Sequence, residues 1–179
     1  MVGRPAACDA GRAEHAIRRA VRVRAGTVAD LPALRPLAAA LADMYDRLWD
    51  PERAPLLWAS LMGHGAGLLV AEMDAGGIVG AAGLTLTVQV GTAQPVAHLQ
   101  WWYVVPVARP HAGLALLAAA EQWARQRGAR ALYAAVPDSA RAGAMLRWFR
   151  QRGYAPVETW VKREWAANGP EPSHGTGLQ

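Results

Sequence analysis

One cysteine, Cys8, one lysine, Lys162, and one phenylalanine, Phe149, stand in a chain of 179 residues. A lone thiol excludes an intramolecular disulfide and a cysteine-based metal centre. No apolar run is long enough to span a bilayer, and the amino terminus lacks the hydrophobic segment of a signal peptide. A soluble, cytoplasmic protein without membrane contact is therefore expected. Also absent are a Gly-x-x-x-x-Gly-Lys-Ser/Thr phosphate loop, a His/Cys metal spacing and a Gly-x-Ser-x-Gly nucleophile turn, so no metal is expected. No internal repeat is visible. Acidic side chains are scarce too, 14 against 19 basic ones, for a formal charge of +5 carried almost wholly by arginine. Such an excess permits anionic partners. Arg141, Arg147, Arg150 and Arg152, however, lack the interleaved aromatics of a single-strand-binding face and read as a solvated helix surface, so a nucleic-acid partner is not expected.

What the chain does have is apolar residues, 53% of the total, enough for one sizeable core. The stretch Ala97–Arg130 organises it. His98–Val105 is dense in aromatic and β-branched residues, the composition of a strand packed on both faces. Pro106 stops the strand, and Val107–Gly113 reads as a short turn. A helix of strong helix formers then runs over about 113–127, ended by Gly128. A strand feeding a helix through a short turn aims free N–H groups and the positive end of the helix dipole at one point, an arrangement suited to phosphate.

Around this junction, residues 1–20 read as a loose arm and 167–179, with Pro, Gly, Ser and Asn, as a flexible tail, leaving one domain at 21–166. Val21–Ala25 alternates like a half-buried strand. Asp30 is placed to cap a helix whose Leu31, Leu34, Leu37, Ala38 and Leu41 form one stripe. That helix continues over 39–64 with an interruption at Asp50-Pro51. Strands follow at 67–73 and 78–90, joined by the turn Asp74–Gly77. After the long helix come a strand at 131–136, a helix at 140–152 closed by Gly153, and a last strand or strand pair within 154–165. Strand, helix and parallel strand imply a right-handed crossover.

Two segments resemble one family. Val104–Leu117, VVPVARPHAGLALL, is similar to the acyl-CoA pyrophosphate loop of GNAT-type N-acetyltransferases, Val-x-Pro-x-x-Arg-Gly-x-Gly-x-Gly/Ala before a Leu-rich helix. Val104, Pro106, Arg109 and Leu117 fall on their places. Pro110, Ala112 and Leu114 stand where glycines are usual, and Gly113 is one position out of register. Residues 21–34 are similar to the family's opening strand and helix. The resemblance implies an α/β fold, a mixed and mostly antiparallel sheet with helices on both faces and a central strand at 98–105. It further implies acetyl-CoA as cosubstrate and an amine acceptor, either a small molecule or a protein N-terminus or lysine. Homodimerisation is compatible with it.

Acyl transfer to an amine needs a phosphate cradle, a slot for the pantetheine arm, a base for the ammonium and an acid for the thiolate. The cradle candidates are the backbone of Arg109, Pro110, His111, Ala112, Gly113 and Leu114, with the Arg109 guanidinium as a further donor. Pro110 has no N–H to give. The resemblance assigns the slot to the backbone of Tyr103, Val104 and Val105. It points to the start of the central strand for the base, where His98 can accept a proton near neutrality and Gln100 can orient water. Trp101, Trp102 and Tyr103 alternate faces, so some are core and the others are free to wall the acceptor pocket. Counting back from Gly153-Tyr154 puts Phe149 where the family has its tyrosine acid and Ala142 where it has asparagine. Phenylalanine donates no proton, and Tyr45 is a remote alternative.

Two readings stay open: an N-acetyltransferase, or a GNAT-like domain without catalysis that binds acyl-CoA or serves assembly. The Pro-x-x-Arg turn and the aromatic strand favour the enzyme, which is preferred. Phe149 and the missing glycines favour the module.

Overall fold

The structure, a computed structural model, describes residues 21–44, 50–54, 58–59, 66–73, 77–137 and 139–158. The terminal arms expected at 1–20 and 167–179, together with Tyr45 and Trp49, lie outside them. Two compact units divide the chain, residues 1–139 and 140–179.

The first unit holds a five-stranded sheet in sequential order: β1 (Val21–Ala25), β2 (Ala66–Met73), β3 (Ile78–Gln89), β4 (Gln94–Val104) and β5 (Leu132–Ala134). The first three pairings are antiparallel, while β4 and β5 run parallel, as a strand–helix–strand crossover requires. The strand expected at 98–105 thus begins earlier, at Gln94, and lies between two partners, although β3 is the middle strand of the five. Its early start follows from the hairpin, where Gln89 pairs with Gln94 across a tight turn and Ala93 takes a positive φ of 52°.

Two helices cover opposite faces of this sheet. α1 (Leu31–Met44) buries Leu31, Leu34, Leu37 and Ala38, and Leu31, Leu34 and Leu37 join Leu68, Val70, Ala81 and Tyr103 in one cluster. α2 (Arg109–Gln126) lies on the other face, where a Cβ on Gly80 would sit 3.2 Å from the Leu116 side chain and one on Gly67 would overlap Trp123. Because Gly80 and Ala81 are consecutive in β3, they must point to opposite faces. α2 starts at Arg109, well before the expected 113, and the supposed turn is its first turn and a half. A 3₁₀ turn at Pro106–Ala108 leads into it, and both Pro106 and Pro110 sit where their fixed φ and missing N–H suit a helix start. Among the described residues no helix is long and apolar enough to cross a membrane.

The entry to α1 differs from the expected Asp30 cap. Thr27 is the N-cap of a 3₁₀ turn, Val28–Asp30, and Asp30 reaches back to accept from the Thr27 N–H at 2.7 Å and its hydroxyl at 3.0 Å. The same carboxylate takes a two-pronged bond from Arg24, 2.8 and 2.7 Å, while Arg24 Nε donates to Glu72 at 2.9 Å. Arg22 donates to the other Glu72 oxygen at 3.0 Å. One guanidinium therefore ties β1 to β2 and to the start of α1. These bonds, Arg24's foremost, hold the Asp30 carboxyl well below the usual carboxylate range, and Arg24 and then Arg22 lower that of Glu72.

In the second unit, α3 (Ala142–Arg150) ends at Gly153, whose φ of +84° is the left-handed value a helix stop favours, with the Tyr154 N–H donating to the Phe149 carbonyl at 3.2 Å. Tyr154–Glu158 carries no ladder, so the expected last strand does not begin there, and residues 159–165 lie outside the described ones. Pro156 removes a ladder donor from this run.

Asp30→Asn should cost about 1–2 kcal/mol near neutral pH, since it removes one charge-assisted pair but keeps a capping side chain. With the folded-state carboxyl depressed, its contribution is complete above the ordinary carboxylate range and is lost as pH falls through about 4 and below. Urea unfolding of both proteins should show the gap narrowing between about pH 7 and about pH 3.

Candidate active site

The junction of β4 with α2 brings Tyr103 and Val104 to Arg109, while His98 and Gln100 lie earlier on β4. β5 pairs only with Ala97, His98 and Leu99 of β4. Two further bonds bracket this short ladder, Ala97 N–H to Ala131 O at 2.9 Å and Arg130 N–H to Pro95 O at 2.8 Å. Beyond Leu99 the described residues provide no strand on that side. The β3–β4 register also shifts at this point: Gly83 faces Trp101 whereas Leu84 faces Leu99, so Gln100 is the extra residue of a bulge. Among the described residues, β4 is therefore bonded on both sides just before the bulge and on one side after it.

The backbone past the bulge has a definite orientation. Val105 N–H donates to Val79 O at 2.9 Å, toward β3. Alternation along an antiparallel ladder then turns the Val104 carbonyl toward the unpaired side, where it accepts Arg109 Nε at 3.1 Å. Arg109 is half-buried, with its guanidinium carbon 5.9 Å from the Tyr103 ring centroid. Four of the five guanidinium N–H donors are not used by that bond.

The side chains of Tyr103 and Val104 belong to the core, Tyr103 against α1 and Val104 beside Gly80, so only their backbone can meet a ligand. Val105 is half-buried. Of the cradle candidates, Ala112 and Gly113 are buried inside α2 and face the sheet, where a Cβ on Gly113 would meet Trp102 at 3.4 Å. Since α2 begins at Arg109, the N–H groups of Ala112, Gly113 and Leu114 fall to carbonyls four residues back. Arg109 N–H donates to the Pro106 carbonyl, Ala108 N–H to the Val105 carbonyl, and Pro110 has none. His111 is left as the N–H at the helix tip whose partner the helix does not dictate. No acidic residue lies in the first turn of α2, so the dipole's positive end is not offset there.

His98 and Gln100 meet on one face of β4. His98 is half-buried, opposite Thr85 in β3, and its ring stacks on Tyr133 of β5 with centroids 5.2 Å apart. Gln100 is exposed and donates from Nε2 to Thr85 Oγ1 at 2.9 Å, leaving its amide carbonyl as an acceptor. Trp101 lies on the same face and stacks on Trp58 at 5.3 Å, while Trp102 points to α2. Thr85 and Tyr133 were not legible as site residues, because only the strand registers bring them to His98. Phe149, in the second unit, is buried and makes edge-to-face ring contacts with Trp148 and Tyr154 at 5.1 Å each.

The acetyltransferase (GNAT) family model matches residues 34–154. Among solved structures the chain is similar to an acetyltransferase of Trypanosoma brucei, at 18% identity over 81% of this chain and 99% of that one, with a TM-score of 0.66. It is also similar to the ribosomal-protein-alanine N-acetyltransferase of Brucella melitensis biovar Abortus 2308, at 22% identity, 81% and 99% coverage and a TM-score of 0.65. An aminoglycoside acetyltransferase from an uncultured soil metagenomic sample, solved in complex with sisomicin, aligns at 20% identity, 85% and 99% coverage and a TM-score of 0.65. At these identities the likeness is one of fold. No curated protein matches the sequence.

Two alanine substitutions separate packing from backbone freedom at this junction. Gly113→Ala adds a Cβ in ordinary contact with Trp102 and removes a helix-interior glycine, so it should stabilise the fold by about 0.5–1 kcal/mol in thermal or urea melts. Gly83→Ala would overlap the Trp101 indole, so it should cost about 1–3 kcal/mol and shift tryptophan emission as the ring leaves Trp58.

Proposed function

Because the chain belongs to the GNAT family of acetyltransferases, by a match over residues 34–154, we propose that it transfers an acetyl group from acetyl-CoA to an amine. The observation that carries this reading is the interrupted pairing of β4: a bulge at Gln100, a strand edge left open beyond Leu99, and the tip of α2 at the end of that edge. An extended pantetheine arm can pair with such an edge as a strand would, and the helix tip suits a pyrophosphate. Acetyl-CoA brings the activated thioester. The chain's part is to hold it with the backbone of Gln100–Val104, the His111 N–H and the Arg109 guanidinium, and to receive the amine beside His98 and Gln100. His98 serves as base for the ammonium, and the Gln100 carbonyl orients the N–H of the incoming amine. The resemblance aligns Phe149 with the family's acid, and phenylalanine has no proton to give, so the thiolate takes its proton from water.

One observation favours the second reading, a module that binds acyl-CoA or a protein without transfer: few N–H donors are left at the tip of α2, where Pro110 has none and Arg109 and Ala108 are already bonded. Calorimetry with acetyl-CoA and turnover with an amine panel separate the two.

Arg109→Ala should weaken acetyl-CoA binding by about 1–3 kcal/mol, the scale of a charge-assisted bond, and an unchanged Kd in calorimetry would place the phosphates elsewhere. Phe149→Tyr, which restores a phenol at the sequence position the resemblance gives to the acid, should raise turnover roughly tenfold. The added hydroxyl costs about 1–3 kcal/mol if left without a partner, so the melting midpoint is measured beside the rate. A stable, cofactor-bound variant that acetylates no amine would favour the module.

A further inference from the structure

The acceptor's chemistry can be narrowed, resting on the reading that acyl transfer takes place beside the Gln100 bulge. α2 closes one face of β4, with Gly113 over Trp102 and Leu116 beside Gly80. The cofactor arm takes the open edge in the plane of the sheet. An amine is thus left the opposite face, where α1 covers Tyr103 and Trp101 borders that cluster, with Gln100 and His98 farther along β4.

Among the described residues of β3 and β4, that face is aromatic and lacks acid. Trp58 and Trp101 stack with centroids 5.3 Å apart and planes 14° from parallel, and His98 and Tyr133 stack at 5.2 Å and 17°. All four rings are half-buried, so each keeps part of its surface in solvent. Between the two pairs in the register lies the Gln100–Thr85 bond. Thr85, Thr87 and Gln89 of β3 alternate onto this face with His98, Gln100 and Trp101 of β4, and none is a carboxylate. An acceptor with several ammonium groups would lose hydration here without a counter-charge from these strands. One aromatic ring with one ammonium matches flat π-faces by stacking and cation–π attraction.

We infer that the acceptor is an arylalkylamine, a planar aromatic ring carrying a single primary amine on a short alkyl chain, held by the Trp58–Trp101 and His98–Tyr133 pairs around Gln100. The neutral amine nitrogen attacks the thioester carbonyl carbon. The C–N bond forms and the C–S bond breaks, giving the N-acetyl arylalkylamine. The proton leaving nitrogen passes to His98 or water, and the thiolate takes one proton to depart as free CoA.

The test uses the full chain with acetyl-CoA and four probes: phenethylamine, tryptamine, spermidine and a short peptide with a free N-terminal alanine. CoA thiol release gives kcat/KM, and calorimetry gives amine affinity independently of turnover. The aryl amines should exceed spermidine and the peptide by at least tenfold in kcat/KM. Trp58→Leu should raise the aryl-amine Kd at least tenfold and leave acetyl-CoA affinity unchanged, and Trp101→Phe, which keeps a ring in the core contact, should raise it less than Trp101→Leu. Selective aryl-amine binding without transfer would support this inference while overturning catalysis. Equal or better acetylation of spermidine or the peptide would overturn the inference and leave the transferase reading standing. Failure of the aryl amines to bind at all would also overturn it.

Discussion

Close approach of α2 to the sheet is the constraint on which the site depends, and it rests on the absence of side chains. A Cβ on Gly67 would come within 2.5 Å of the Trp123 indole, and one on Gly80 within 2.8 Å of Val104 and 3.2 Å of Leu116. Bare backbone at these positions lets Leu116 and Trp123 lie directly on the strands, both nearly or wholly out of solvent. Buried large side chains of this kind each contribute about 1.5–3 kcal/mol. With α2 seated along its length, its first turn is fixed at the end of β4, and Arg109 can reach back to the Val104 carbonyl.

β4 is built differently in its two halves. From Ala97 to Leu99 it has β3 on one side and β5 on the other, which makes it rigid. The bulge at Gln100 then adds a residue, and β5 ends at Ala134 in register with Leu99. An unpaired edge inside a sheet is ordinarily a liability, since its N–H and C=O groups seek partners. Here it lies beside a helix tip whose first turn holds no acidic residue.

The other margin of the sheet is held by charge. β1 is an edge strand, and its Arg22 and Arg24 converge on Glu72 of β2, with Arg24 also clasping Asp30. Charged side chains on an edge discourage pairing with a second chain. The Asp30 pair is more sheltered than the Arg22 pair, whose arginine side chain is 73% exposed, so screening by salt falls mainly on the latter. This network fixes the direction in which α1 leaves β1, and with it the Leu31, Leu34 and Leu37 stripe that covers Tyr103.

Much of this was legible in the residues themselves. Periodicity gave the strands β1–β5 and the buried stripe of α1, and the Pro-x-x-Arg turn with its Leu-rich continuation pointed to the strand–helix junction and to the family. Those signals are local, set by what alternates or recurs within one segment. Pro110 misled because a proline reads as a loop signal although it equally starts a helix, and so most of the stretch expected as a turn, from Arg109 to Gly113, is helix. Pro156 and the exposed Val157 show the converse, since 154–158, the described start of an expected strand, form no ladder. The bulge at Gln100, the Thr85 hydroxyl beneath its amide, and the stacking of Tyr133 on His98 belong to the tertiary structure alone. Each depends on which residue of another strand stands opposite, and register is fixed by the packing of the whole sheet, not by the composition of any one strand.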